Sequence, residues 1–358
     1  MILYMREMAV EKKNWLDGET FKEGVALCQA IPGATGMQMV AYIGLQTRGV
    51  PGAVVSFIGF GLPAFILMTA LSVLYARTQE IPAVTSVFNG LRAIIVAVVA
   101  HAAWSFGKNT LKNIENGGVA LIASGLFWIK ANPMLIILLA ALLGMLVNAR
   151  QSPVKTVSPS SRIQQTIAPL LCMALCYAAG LTLLYFYKKG LFELSVLMSK
   201  IDLLAFGGGF ASLPLMFHEI VEVRSWMEGT TFLNGIALGQ CTPGPIVITA
   251  TFVGYLVYGF LGAFVATISI FFPSLFILVG VAPWFDRLRT SPWFLKAISG
   301  ILCSFVGLLV TVTIRFGMNV RWDWPQTAIA AATFAALYRN IDMLWVILAG
   351  VLISAFVM

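Results

Sequence analysis

The chain has 358 residues, of which 59% are hydrophobic and only 11% charged, with a formal net charge of +8 and a mean hydropathy of +0.89. A water-soluble domain carries roughly 25% charged residues, so this sparse set excludes a soluble globular fold. Lipid must solvate much of the surface, and the length suffices for about ten crossings of ~20 residues each. The positive charge does not point to nucleic acid: Lys and Arg collect between apolar runs, where they orient the chain and meet anionic membrane lipid.

In chain order, Arg6, Glu7, Glu11, Lys12 and Lys13 interrupt the first residues, which is not the pattern of a signal peptide. Residues 20–45 are apolar but broken midway. Residues 50–75 and 84–106 read as spans, and 118–129 and 133–147 as two short, tightly joined ones. The polar stretch 151–165, rich in Ser, Pro and Gln, divides the chain into a first repeat at 1–150 and a second at 166–358. Arg150, Lys155 and Arg162 place that stretch in the cytoplasm. Residues 166–187 and 191–206 follow as spans, then a second broken segment at 231–256. Further spans lie at 259–283 and 294–314, a short run at 327–338, and a last one from 341 to the end. Trp226, Trp284 and Trp324 sit at span ends as interface anchors. This pattern predicts an all-α, polytopic membrane protein.

The five cysteines form no CxxC pair, so neither a disulfide nor a metal site is expected, and no cofactor is implied. The chain has two histidines, His101 and His218, no HExxH pattern and no GxxxxGK[ST] loop. That argues against a membrane metalloenzyme and against direct ATP use.

An internal repeat is plain. Trp15 to Gly33 matches Trp226 to Gly244 at 10 of 19 positions, including Gly24/Gly235, Gln29/Gln240, Pro32/Pro243 and Gly33/Gly244. One extra residue in the first copy then changes the register, and Gly44/Gly254, Gly49/Gly259, Gly52/Gly262 and Pro63/Pro273 follow. Each copy holds a Pro-Gly break inside an apolar segment, Gln29 to Gly36 and Gln240 to Pro245. Proline removes an amide donor and clashes with the preceding turn. Backbone freed this way survives in a bilayer only when buried in protein or lining a polar cavity. Matched breaks in duplicated halves point to a transport site at mid-membrane, where half-helix N-termini bind anions without lysine. The alternative is that Gly and Pro only permit kinks and close packing.

These residues carry a family resemblance. The Trp15-Leu16-Asp17-Gly18 lead-in and its Trp226-Met227-Glu228-Gly229 copy, the Gln240-Cys241-Thr242-Pro243-Gly244-Pro245 break, the later Gly-x-x-Gly-Ala run and Phe206-Gly207-Gly208-Gly209 followed by Pro214 resemble the chromate ion transporter family over nearly the whole chain. The resemblance implies two fused homologous halves in a bacterial-type cytoplasmic membrane. It further implies opposite insertion of the halves and export of chromate, a tetrahedral dianion close to sulfate. The chain departs from the pattern twice. The first break reads Pro32-Gly33-Ala34-Thr35, without the second proline, which shifts polar duty to Thr35 or Gln38. The Phe-Gly-Gly motif has no first-half copy, since Met1 aligns with Ser212. The expectation is a truncated N-terminus and impaired transport, which translation of the upstream DNA tests.

The candidate substrate-binding residues are therefore Gln29, Pro32, Gly33, Thr35, Gln38, Phe206, Gly207, Gly208, Gly209, Gln240, Thr242, Pro243, Gly244 and Pro245. The two glutamines offer uncharged amide donors to an oxyanion or else cap the broken backbone. Thr242, Thr249 and Thr251 offer hydroxyls to the anion or to their own helices. Gly207 to Gly209 form a nest of amides or a flexible packing point, with Phe206 as a wall. Arg48 reads as a snorkelling residue. Arg92 and Lys296, matched through Leu-Arg-Ala-Ile and Leu-Lys-Ala-Ile, read as interface anchors. Asp202 is a proton site or faces a water-filled vestibule. His101 is a packing residue, and His218, Glu219, Glu222 and Arg224 form a solvated face. The functional reading is a secondary anion exporter driven by the proton gradient or membrane potential. Sulfate, molybdate or an organic anion are alternative substrates, and a passive channel is an alternative mechanism. A homo-oligomer is compatible with the sequence but not specified by it.

Overall fold

The computed structural model describes residues 1–147, 163–339 and 341–357. The first half comprises α1 (Ile2–Arg6), a π-helical turn (Glu7–Lys12), α2 (Gly18–Ala30), α3 (Thr35–Thr78), α4 (Pro82–Thr110), α5 (Ile114–Trp128) and α6 (Pro133–Val147). Then come α7 (Ile163–Tyr187) and α8 (Lys189–Leu204). The second half comprises α9 (Gly209–Phe217), a second π-helical turn (His218–Val223), α10 (Gly229–Gln240), a 3-10 turn (Ile246–Ile248), α11 (Thr249–Val281), α12 (Phe285–Thr290), α13 (Pro292–Met318), α14 (Trp324–Tyr338) and α15 (Met343–Val357). No strand occurs among the described residues. Arg150, Lys155, Arg162 and most of the stretch 151–165 lie outside them. Among the described residues, five helices are long and apolar enough to cross a bilayer. The 15-residue helices α5, α6, α14 and α15 are about 22 Å long, short of the ~30 Å hydrocarbon core.

The repeat is reproduced in the backbone. Both halves carry the π-helical turn at the same register, and Asn14 (φ 49) and Ser225 (φ 50) leave it with the same positive φ. Both long helices break at matched pairs. Arg48 (φ −135, ψ 17) and Gly49 (φ 67, ψ −157) are repeated by Tyr258 (φ −137, ψ 22) and Gly259 (φ 66, ψ −155). Glycine is the residue that adopts such positive φ without a Cβ penalty.

At those breaks each helix folds back on itself. Ser56 Oγ donates to the Val40 carbonyl at 3.1 Å, although 16 residues of straight helix would separate them by about 24 Å. In the second half the hydroxyls of Thr251 and Thr267 meet at 2.7 Å. Gly44 lies against Gly52 and Gly254 against Gly262 so closely that a Cβ on any of them would overlap the opposing carbonyl. Segments 20–45 and 231–256 are thus re-entrant helical hairpins with the Pro-Gly breaks at their tips. The pairs 44/52, 40/56 and 37/61 bring the first tip alongside the middle of 50–78.

Ring contacts fix the relative direction of the halves. Phe57 meets Phe271 at 6.0 Å, while Phe65 meets Phe260 and Phe264 at 6.4 and 6.2 Å. Numbering rises along 50–78 as it falls along 260–281, so these two equivalent helices run antiparallel. The halves are inverted relative to each other, so their hairpins enter the bundle from opposite ends.

Each half completes the other. α5 and α6 pack on α13, while α14 and α15 pack on α4. These contacts rest on small residues, as expected where lipid is as apolar as the side chains: Gly300 sits on Ala140 and Gly144, and Gly307 on Ala120 and Ser124. Ser124 Oγ and Thr311 Oγ1 add a hydrogen bond at 3.0 Å. His101 packs edge-on against Phe334 at 6.0 Å, the packing role expected of it. α7, between the halves, leaves Leu171, Leu175, Leu183 and Phe186 exposed, a lipid-facing surface.

Two expectations are corrected. His218, Glu219 and Glu222 are not a solvated face but the centre of a buried ionic network. Glu219 pairs with Lys200 at 2.6 Å and with Arg224. Glu222 pairs with Arg315 and with His218 Nδ1 at 2.9 Å. Arg315 also donates to the carbonyls of Phe127 and Trp128 at 2.7 and 3.1 Å, the negative end of α5. The signal missed was Arg315, 93 residues beyond Glu222. Arg92 and Lys296 are not equivalent either, since α4 and α13 both begin at proline and the two residues fall at different depths. Arg92 is no interface anchor: its Nε donates to Asn234 Oδ1 at 2.7 Å, and Asn234 Nδ2 donates to the Tyr75 hydroxyl at 2.9 Å.

Candidate functional site

Three interruptions converge inside the bundle. The first is Ile31 to Ala34, all buried, between α2 and α3. The second is Cys241 to Pro245, between α10 and the turn that begins α11, with Thr242 and Pro245 buried and Cys241 and Pro243 exposed. The third is Ala205 to Gly208, between α8 and α9. Gly33 (φ 114), Gly207 (φ 90), Gly208 (φ 94) and Gly244 (φ 153) hold them open in backbone conformations that other residues rarely adopt.

The contacts between them are close and reciprocal. A Cβ on Gly33 would overlap Ser274 Cβ, and one on Gly244 would lie 2.9 Å from Ala64 Cβ. Ala64 and Ser274 each follow the matched prolines Pro63 and Pro273, so each hairpin tip seats on the other half's kinked helix. The third interruption joins both tips. The Gly33 amide donates to the Ala205 carbonyl at 3.0 Å. A Cβ on Gly208 would stand 3.3 Å from Thr35 Oγ1, and one on Gly209 would stand 3.1 Å from the methyls of Ile246 and Val247. The N-terminal ends of α3, α9 and the turn leading α11 therefore share one locus. Among the described residues, no protein acceptor meets the amides of Thr35, Gly36, Met37, Gly208, Gly209 or Phe210. Unpaired first-turn amides and aligned peptide dipoles favour negative charge.

The other candidates divide. Gln38 is fully buried, with Nε2 donating to the Pro32 carbonyl at 2.5 Å, which caps the broken backbone. Its Oε1 is buried without a protein partner, as is Nε2 of Gln240, and such atoms mark places where a ligand or water belongs. Gln29 is exposed. Thr242 donates to the Gly239 carbonyl at 2.7 Å and Thr249 to that of Ile246 at 2.8 Å, so both hydroxyls serve their own backbone. Phe206 is half-buried against the core. Ala205 and Ser274 belong to the cluster and were not singled out from sequence. The signal available for Ser274 was its place directly after the repeat-matched Pro273.

Nearby hydroxyls repair the Pro273 kink. A proline at 273 leaves the Ser269 carbonyl without its helical donor, and Ser199 Oγ supplies one at 3.1 Å. Ser195 and Ser269 share a bond of 2.6 Å, and Tyr177 binds Ser199. At the base of the first hairpin a cavity of about 630 Å³ is lined in part by Thr20, Glu23, Tyr42, Gln46 and Thr47. Beside it Arg289 pairs with Glu23 at 3.1 Å.

Comparison with known proteins agrees with this architecture. The sequence model of the family described as "Chromate transporter" matches residues 1–145 and 192–355, two separate regions that span α1 to α6 and most of α8 to α15. An uncharacterized transporter of Methanocaldococcus jannaschii is 42% identical over 358 residues, covering 99% of this chain and 88% of its own. A chromate transport protein of Cupriavidus metallidurans is 28% identical over 337 residues, 94% of this chain and 82% of its own. A probable chromate transport protein of Synechococcus elongatus is 26% identical over 347 residues, 95% and 85% of the two chains. No solved structure matches. With both halves matched and the helical, multi-pass architecture in place, this chain belongs to the chromate transporter family, a family of membrane ion transporters rather than enzymes.

Proposed function

We propose that this chain is a secondary active exporter of a tetrahedral oxyanion, chromate foremost, with the anion held where the N-terminal ends of α3, α9 and the α11 turn meet. One observation carries the reading: glycine-rich breaks from both inverted halves meet at a single mid-bundle locus, with first-turn amides free of protein acceptors. Such a site offers many weak donors and no fixed cation, so it selects a dianion without trapping it. The inverted hairpins suit alternating access, one half rocking against the other around a fixed site. The cavity beside Glu23 serves as a vestibule on one face. Chromate transport proteins among the relatives support the substrate class. The same amides suit sulfate and molybdate.

The test is retention of radioactive chromate in cells expressing the chain, with sulfate as competitor and with an uncoupler. The reading expects lower retention than in control cells, restored by the uncoupler. Retention unaffected by expression defeats export of chromate, and expression-dependent flux indifferent to the uncoupler indicates a passive channel. Stronger inhibition by sulfate than by unlabelled chromate reassigns the substrate.

A further inference from the structure

Asp202 lies in the last turn of α8 and is 1% exposed. Its Oδ2 accepts a hydrogen bond from the backbone amide of Ser274 at 2.7 Å. Of the elements that pack on α8, α7, α9 and α11 hold no lysine, arginine or histidine, nor do 31–34 or 205–208, and the second π-helical turn, which reaches α8 through Glu219, holds His218 paired with Glu222 at 2.9 Å. The titratable side chains there are Cys172, Cys176, Tyr177, Tyr185 and Tyr187 on α7, and Tyr255 and Tyr258 on α11, none of which can carry a positive charge. On α8 itself Glu193 and Lys189 lie more than two turns away, and Lys200 is held by Glu219 at 2.6 Å. A carboxylate here would be a buried charge without a counter-ion, at the negative end of its own helix. Protonation removes that cost.

The position of the group gives the proton something to act on. Ser274, which Asp202 holds, is the residue against which Gly33 of the first hairpin tip seats. Gly33 in turn donates to the Ala205 carbonyl, and the Ala205 amide donates to the Asp202 carbonyl at 3.1 Å. Carboxyl, kinked helix, hairpin tip and the third interruption thus form a closed ring of contacts. Across Gly33 lies the side-chain amide of Gln38, whose Nε2 faces Gly33 and whose Oε1 is buried without a protein partner.

We infer that Asp202 is the coupling-proton site of this transporter. The carboxylate takes up one proton to become the neutral carboxylic acid, and the acid releases that proton to water, returning to carboxylate, when the hairpin tip moves and water reaches it. The inference rests on the transport reading for the cycle it serves, but the proton site has its own readout. Purified chain in liposomes is treated with a hydrophobic carbodiimide, which reacts with protonated carboxyl groups in apolar surroundings, and peptide 202 is followed by mass spectrometry. The expected result is labelling of Asp202 that falls about tenfold per pH unit above its titration point and is absent in Asp202→Asn. In parallel, chromate exchange in these liposomes is followed against pH. Wild type is expected to depend on pH, Asp202→Asn to lose that dependence whatever its rate, and Asp202→Glu to regain it. The inference is overturned by no labelling at 202 at any pH, or by Asp202→Asn exchange that follows pH as wild type does. A variant that fails to fold leaves the wild-type labelling and the Glu variant to decide. Normal labelling without any chromate exchange sinks the transport reading and leaves the proton site standing.

Discussion

The two halves share a backbone but not an environment. The first π-helical turn carries ion pairs at the surface, Lys12–Glu7 at 2.8 Å and Arg6–Glu11 at 3.9 Å, with each side chain about half exposed. Its copy carries Glu219 and Glu222 into protein, where they meet Lys200, Arg224, His218 and Arg315. The tips differ as well. The first is fully buried, with its glycine amide bound to Ala205, whereas the second exposes Cys241 and Pro243. α8 makes part of the difference, because it supplies Lys200 and Asp202 and leads into Ala205. Duplication copies local conformation, while the neighbours decide which polar groups are buried and therefore which matter.

The largest expected effect tests what is shared. Gly254→Leu, and Gly44→Leu in the first half, drive a side chain into the facing carbonyl. Overpacking of this kind costs about 1–3 kcal/mol or more. Both variants should fail to yield monodisperse protein in detergent, and equal recovery with wild type would refute the folded-back helices.

Charge then separates the halves. Glu222→Gln leaves Arg315 buried without its partner, a change that costs about 3–5 kcal/mol. Glu7→Gln removes a surface pair worth about 0–1 kcal/mol. Thermal unfolding in detergent should show a clear fall in Tm for the first variant and almost none for the second. Equal shifts would mean that the buried network adds nothing over a surface pair.

The glutamines sharpen the comparison at the site. Gln240→Ala should slow chromate flux by about tenfold, the equivalent of one charge-assisted hydrogen bond, whereas exposed Gln29→Ala should leave the rate near wild type. Flux assays in the same vesicles decide, and the reverse order would move the pathway to the other face of the first hairpin.

The smallest effect concerns the lead-ins. The Asp17 side chain accepts from the amides of Glu19 and Thr20 and from the Thr20 hydroxyl, and its carboxyl is held below its usual range chiefly by the Thr20 amide. Glu228 makes no such cap. Stabilisation from a depressed carboxyl is present above the unfolded value and lost as pH falls through the folded one. The small Tm advantage of wild type over Asp17→Ala should hold at neutral pH and vanish on acidification. The matching Glu228→Ala difference should be near zero throughout.

Much of this was legible without coordinates. The matched Trp-to-Gly stretches revealed the duplication, and the Pro-Gly breaks marked where the helices fail, because an absent donor is a local property of proline. Residues 50–75 and 259–283 were recognisable as spans by length and apolarity alone. Arg92 and Lys296 show the limit. A four-residue likeness suggested equivalence, but helix register follows Pro82 and Pro292, and Arg92 reaches Asn234 at a separation of 142 residues. The His218 segment was misread for the same reason, since its charges look solvated until Arg315 and the end of α5 come to meet them.

By itself, then, the sequence determined the solvent, the duplication, the kinks at glycine and proline, and the family, all of which depend on composition or on residues near one another. Only the tertiary structure decided that the equivalent long helices run antiparallel, that each hairpin tip rests on the other half's kinked helix, and that Asp202 is enclosed without a cation. Those facts depend on side chains far apart in sequence meeting in a low-dielectric interior, where one neighbour more or less changes the cost of a charge by several kcal/mol.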